Sequence, residues 1–442
     1  MSSSIGAWPP PRSFWTDTLP EKTDSMTRPH LFKGVVPASA ANPVAVLDGF
    51  AAIRRAHTAG LEITANARVY VGEEERPDLV DTVLSADGWP ADGWPADGWP
   101  ADGWPADGFP AWMQEQVGAE RFSLVLNTLE SVSPPLAEGL GEFVGSLIGG
   151  WGVPAGGAEL VAFVGNYSGT AFGVHEGYEN AFLTHYGPGT KDFYCWPAEE
   201  YRKLTGGSDP LFGDYAWLLE HGEHFALEPG DALFLPERVF HVGRQSEFSV
   251  SVAIPLYTFP DAAVVRAWVA PDLLAAVLAS EPDTDAGRPS PMQPLTAGPE
   301  DLARRLSEVT AAALAAATEQ AQAAAGQHAH QRWYTVLSNG GWQQSENDLA
   351  RDEAAAAFAA AGLAPGVSVA VRAPYRLMVT GEQVFLRGCE TAADLAVLTP
   401  GLVERLNTGP TPLPDDPQVI AAIRALGVTG GLKVTTTPKE SQ

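Results

Sequence analysis

The clearest pattern along the chain is alternation. Leu160-Val161-Ala162-Phe163-Val164 and Phe248-Ser249-Val250-Ser251-Val252-Ala253-Ile254 carry apolar side chains at the period of strands with a buried face. Short segments of this kind recur from 158 to 258, divided by Gly and Pro turns, and predict an antiparallel barrel or jelly roll. Elsewhere the period lengthens. Val46, Phe50 and Ile53 stand at helical spacing in 44–59. Residues 119–150, with Leu124, Leu126, Leu136, Leu140 and Phe143, also read as helical. Ala-rich helical patterns fill 262–278 and 302–325, on either side of a Pro/Asp/Ser linker at 281–299. In 332–442 the spacing predicts strands at 367–371, 375–379, 383–387 and 432–434, and helices at 402–406 and 419–426.

These elements divide the chain. Residues 1–28, rich in Pro, Ser and Thr, form an arm, with a short helix near Phe14 and Trp15. A strand over 29–35 opens the barrel domain, 29–258. Within it, 86–110 are five copies of Ala-Asp-Gly-Trp-Pro, the last with Phe109 for Trp. A period of five is too short for a solenoid unit, and Asp-Gly and Trp-Pro favour turns, so the repeat reads as an expanded loop. A helical segment (259–330) and a mixed C-terminal domain (331–442) follow, and the whole is of the α+β class.

Composition narrows what such a chain does. With 442 residues, 45% of them hydrophobic, there is enough apolar material for two or three domains. No apolar run reaches the ~20 residues of a membrane span, and the first residues lack a secretory leader. Cys195 and Cys389 are the only cysteines, which excludes a disulfide framework and suits a reducing cytoplasm. A net charge of -27 repels phosphate backbones, so nucleic-acid binding is not expected, and a basic protein or peptide partner suits the field.

The chemistry gathers in two places. Glu228-Pro229-Gly230-Asp231 makes a tight turn into the apolar strand Ala232-Leu233-Phe234-Leu235, Pro236 ends it, and His241 and Gly243 follow. Upstream lie Phe172-Gly173-Val174-His175-Glu176-Gly177-Tyr178-Glu179, then a predicted hairpin at Tyr186-Gly187-Pro188-Gly189 and the stretch Thr190-Lys191-Asp192-Phe193. Two histidines and one carboxylate on one face leave three positions open on a metal, the usual arrangement for non-haem iron. Other histidines read as bland. His185 is expected on a solvent face, His221 and His224 in a surface loop, and His328 and His330 beside a helix without acidic or thiol partners. Cys195 is expected in a buried strand.

These motifs, over about 160–257, resemble the JmjC-like cupin oxygenases that use Fe(II) and 2-oxoglutarate, nearest to the bacterial branch that hydroxylates ribosomal proteins. The resemblance implies a double-stranded β-helix barrel, a helical dimerisation segment and a winged-helix-like C-terminal domain, in the order found here. It implies His175 and His241 as metal ligands and Lys191 as partner of the distal carboxylate of 2-oxoglutarate. Ser249 and Ser251 would face the pocket, and the substrate would be a protein or peptide side chain. One position departs from the pattern. The acidic ligand expected two residues after His175 is Gly177. Three alternatives follow: Glu179, or Glu176, completes the site through a bulge; Gly177 leaves a position open, as in iron halogenases; or the chain is a non-catalytic cupin scaffold. The reading carried forward takes His175, Glu179 and His241 as the catalytic metal set.

Overall fold

The computed structural model describes residues 8–40, 42–88, 108–169, 172–279, 299–391 and 396–435. Most of the Ala-Asp-Gly-Trp-Pro repeat and of the 281–299 linker lies outside them. The chain divides into two compact units, one of 1–257 with 335–442, the other of 258–334.

The first unit is a mixed α/β structure around twelve antiparallel strands: β1 (His30–Phe32), β2 (Asn66–Val71), β3 (Glu74–Glu75), β4 (Phe122–Asn127), β5 (Gly157–Ala158), β6 (Val161–Tyr167), β7 (His175–Glu176), β8 (Asn180–Pro188), β9 (Lys191–Pro197), β10 (Glu223–Leu227), β11 (Ala232–Leu235) and β12 (Val239–Tyr257). The path β1-β11-β8-β12-β6-β4-β2-β3 forms one array, and β7 and β9 pair with β12, with β10 on β9, in a second. The 19-residue β12 belongs to both. Its first part, 239–244, pairs with β9 and β7; its later part pairs with β6 and β8. The register against β6 shifts between Gln245 and Ser249, and such an irregularity lets a strand turn from one sheet into the next.

Three sequence expectations are corrected. Residues 119–150 are not one helix: Phe122–Asn127 form β4, and the helix begins at Pro134 and runs to Gly150. Five of the six β4 residues are buried because both faces of the strand are covered, Phe122, Leu124 and Leu126 packing in the main core and Val125 beside Tyr70 and Val161, so its apolar run shows no clean alternation. Second, Gly187 (φ +81°) does reverse the chain, but β8 and β9 are not partners in a hairpin. β8 pairs with β11 and β12, β9 with β10 and β12, so the turn carries the chain between the arrays. Third, β2 was not expected at all, although Ala67 and Val69 are buried at alternate positions. The helix Pro43–Thr58 is as expected, capped by the Asn42 side chain and burying Val46, Phe50 and Ile53.

In the C-terminal part, helices Leu349–Ala360, Pro400–Thr408 and Pro417–Gly427 accompany two three-stranded sheets. These contain β13 (Ser368–Val371), β14 (Met378–Thr380), β15 (Gln383–Leu386), β16 (Cys389–Thr391), β17 (Thr411–Pro412) and β18 (Leu432–Thr435), ordered β17-β13-β18 and β14-β15-β16. Phe358, Leu386, Leu406, Ile423 and Leu432 are in its core. The second unit consists of helical turns from Asp261 to Ala279 and most of the helix Glu300–Ser338, with Val277, Ala313 and Ala317 as a small buried cluster.

Candidate metal centre

Pairing of the two-residue β7 with β12 sets His175 directly opposite His241. The ring centroids are 4.4 Å apart at 60°. Phe193 stacks on His241 at 5.4 Å, and Phe172 meets His175 edge-on at 5.3 Å. In each histidine Nδ1 is 3.1 Å from the carbonyl two residues earlier, Gly173 O for His175 and Val239 O for His241. A carbonyl only accepts, so Nδ1 carries the hydrogen and Nε2 keeps its lone pair. Burial pushes both imidazoles below their ordinary pKa. His241, also facing the charge of His175, falls to about 3. Two neutral imidazoles with free Nε2 atoms form a donor pair suited to a first-row divalent metal.

The third donor expected from the sequence does not join them. Among the described residues no three of His, Cys, Asp and Glu come together in a metal-holding group. Chain direction explains this. β7 ends at Glu176, whose carboxylate lies 3.3 Å from the Arg238 guanidinium. Glu179 lines the same cavity as the histidines, half-buried and with its pKa raised by burial. Gly177 occupies the facing position: a Cβ there would stand 3.0 Å from His241 Cε1. Among the described residues the two imidazoles thus meet without a third such donor grouped with them.

Both histidines open onto a cavity of about 610 Å³, with Lys191 also in its wall. Lys191 is 1% exposed. Its ammonium donates to Tyr167 Oη at 2.7 Å and to Gln245 Oε1 at 3.4 Å, and lies 5.5 Å from the Phe163 ring centroid. No carboxylate pairs with it among the described residues, and burial pushes it down to about 7. Gly243 gives it room, since a Cβ there would be 3.0 Å from Lys191 Cε.

Ser249 and Ser251 are corrected: both are buried on β12, and neither lines the cavity. Ser251 shares the strand face of Ala253, which does, but its hydroxyl is held 2.9 Å from His185 Nδ1. His185, expected on a solvent face, is fully buried. Its Nε2 donates to Gly189 O at 2.7 Å, and burial pushes its pKa down to about 4. His224 is exposed beside Asp192 as expected, but on β10 and not in a loop, and Cys195 is buried as expected.

The sequence reading missed Tyr167, Gln245 and Arg68. The first two had a signal. Tyr167 has the parity of Phe163 on β6, and Gln245 that of His241 and Gly243 on β12, so each faces the side already marked by chemistry. Arg68, on β2, lines the cavity and donates to Asn127 Oδ1 at 3.2 Å, and nothing near it in sequence marks it out.

Solved structures similar to the chain are those of YcfD, a ribosomal oxygenase from Escherichia coli. One YcfD structure aligns over 93% of this chain and 95% of its own, at 15% identity and a TM-score of 0.48. YcfD with cobalt and 2-oxoglutarate aligns over 92% and 95%, at 14% identity and a TM-score of 0.46. YcfD with cobalt and succinic acid gives the same figures. No protein-family profile and no curated protein matches the sequence.

Proposed function

We propose that the chain is a 2-oxoglutarate-dependent oxygenase on a cupin barrel, with iron(II) held by His175 and His241. The observation that carries this is the meeting, on one cavity, of two imidazoles whose Nδ1 atoms are held by carbonyls and a buried ammonium without a counter-ion among the described residues. Each of the chain's groups has a task in that reading. The two imidazoles hold the metal, their tautomers fixed by Gly173 O and Val239 O. Lys191, steadied by Tyr167 and Gln245, pairs with the far carboxylate of 2-oxoglutarate, a charge-assisted contact. Phe163, Phe172 and Phe193 keep water from the centre. When bound, the metal and 2-oxoglutarate supply oxygen activation and hydroxylation of a C–H bond.

The substrate in this reading is a protein or peptide side chain, and the net charge of -27 favours a basic one. The three helices and the β17-β13-β18 sheet support a winged-helix-like reading of the C-terminal part. Leu302, Leu306, Val309 and Leu314, exposed along one helix of the second unit, support self-association into a homodimer. No helix among the described residues is long and apolar enough to cross a membrane. The deciding experiment is succinate release from 2-oxoglutarate with iron(II) and oxygen. Release by the wild type that is lost in Lys191→Ala supports the oxygenase. Metal uptake without succinate release points to a cupin enzyme that does not use 2-oxoglutarate, and neither activity nor metal uptake leaves the scaffold alternative.

A further inference from the structure

We propose that the C-terminal part holds an anion-binding pocket of its own, where Arg376 and Lys433 take the oxyanion of a small organic carboxylate or phosphate. The pocket lies outside the barrel cavity and does not depend on the oxygenase reading.

Its volume is about 570 Å³, within the roughly 300–1,000 Å³ usual for small-ligand sites. The wall is held in place. Arg376 N–H donates to Ser338 O at 3.0 Å and Arg372 Nε to Leu432 O at 2.9 Å, so 372–377 is tied to its neighbours. The Asn407 amide grips Leu377, accepting from its N–H at 2.8 Å and donating to its carbonyl at 2.9 Å. Lys433 on β18 stands opposite Ala370 on β13, and so small a partner leaves the space beside the lysine open.

Charge gives the sign of the ligand. The chain has 54 Asp and Glu against 27 Lys and Arg, yet no acidic residue lines this pocket. The cavities at His175, at His221 and at Phe212 each include glutamate. Arg387, 4.6 Å from the centroid of the Tyr375 ring in the wall, has its own carboxylate, Asp348 at 3.1 Å. Arg376 and Lys433 pair with none among the described residues. Arg376 is exposed and Lys433 half-buried, so both can reach a ligand. The hydroxyls nearby are committed: Thr408 donates to Glu404 O and Arg405 O, which caps the carbonyls of that helix end, and Thr435 donates to Ser368 O. The two cations are therefore the groups that recognise the ligand, and a carboxylate or phosphate oxygen is what they hold best. Ala370, Val371, Pro374 and Pro410 give an apolar wall for its body. The net charge of -27 works against a long polyanion, which keeps the ligand small.

The test is calorimetric titration of the full chain with phenyl phosphate, benzoate and the uncharged benzamide. The expected result is one saturable site for at least one of the two anions and none for benzamide. Arg376→Gln and Lys433→Gln should each weaken it roughly tenfold or more, the scale of one charged hydrogen bond. Lys191→Ala, which removes the cation of the barrel cavity, should keep it. Tighter binding of phenyl phosphate makes the natural ligand a phosphate and tighter binding of benzoate a carboxylate, and either supports the pocket. Binding that survives intact in both glutamine variants places the anion elsewhere and overturns the inference. Benzamide bound as tightly as benzoate overturns it as well, and so does binding of neither anion.

Discussion

Lys191 is the residue whose environment departs furthest from its chemistry. A buried ammonium bonded, among the described residues, to a phenol and an amide is poorly compensated, and its pKa of about 7 reflects burial. An anionic ligand needs the charged form. Affinity for 2-oxoglutarate should therefore be full below pH 7 and decline as pH rises through it, with a proton taken up on binding on the alkaline side. Calorimetry in buffers of different ionisation enthalpy reads both effects. Lys191→Ala should weaken 2-oxoglutarate binding roughly 10- to 100-fold, the worth of a charged hydrogen bond of about 1.5–3 kcal/mol. At this scale much was legible, since His175, His241 and Lys191 are chemistry-bearing residues in turn-bounded strands. The third ligand was not legible. It depended on where the chain turns after Glu176, and spacing alone does not report that.

Among the elements, β12 organises the site, because one strand delivers His241, Gly243 and Gln245 on one face and then crosses into the array of β6 and β8. Its neighbour β6 accommodates the crossing through Gly165, which has φ +148° and where a Cβ would stand 2.2 Å from Phe122 O. Gln245 Nε2 donates to the Gly165 carbonyl at 2.6 Å, tying this spot to the Lys191 network. Gly165→Ala should lower unfolding stability by roughly 2–4 kcal/mol, seen as a lower denaturant midpoint. An unchanged midpoint would mean that β4 and β6 can part at no cost. Alternation in β6 and β12 was readable because Ala162, Val164, Val250, Val252 and Ile254 share the main core while Phe163 and Ala253 face the cavity. β4 was misread because both of its faces are covered, and the β8–β9 turn was misread because local turn chemistry does not say which sheet receives the next strand.

For the whole molecule, the junction between the barrel and the C-terminal part contains a buried carboxyl pair that sequence spacing gave no reason to join. Glu159 accepts from the Thr128 N–H and hydroxyl at 2.9 and 3.0 Å and from the Tyr257 hydroxyl. Glu130 accepts from Leu160 N–H at 2.9 Å and faces Gln343; burial, then the charge of Glu159, raises it to about 8. A group whose folded pKa is raised holds its proton in the folded state, so its contribution is full below the unfolded value near 4.5 and is lost as pH rises through about 8. Melting temperature should fall across that window, and Glu130→Gln should flatten the fall. An unchanged pH profile in the variant would place the titration elsewhere.

The measurement that bears most directly on the two-histidine centre is cobalt(II) binding by calorimetry to the wild type, His175→Ala, His241→Ala, Glu176→Gln and Glu179→Ala. One metal per chain is expected in the wild type, lost in either histidine variant and retained in both glutamate variants. Absence of metal from the wild type, or loss of binding in Glu179→Ala as complete as in the histidine variants, would contradict it.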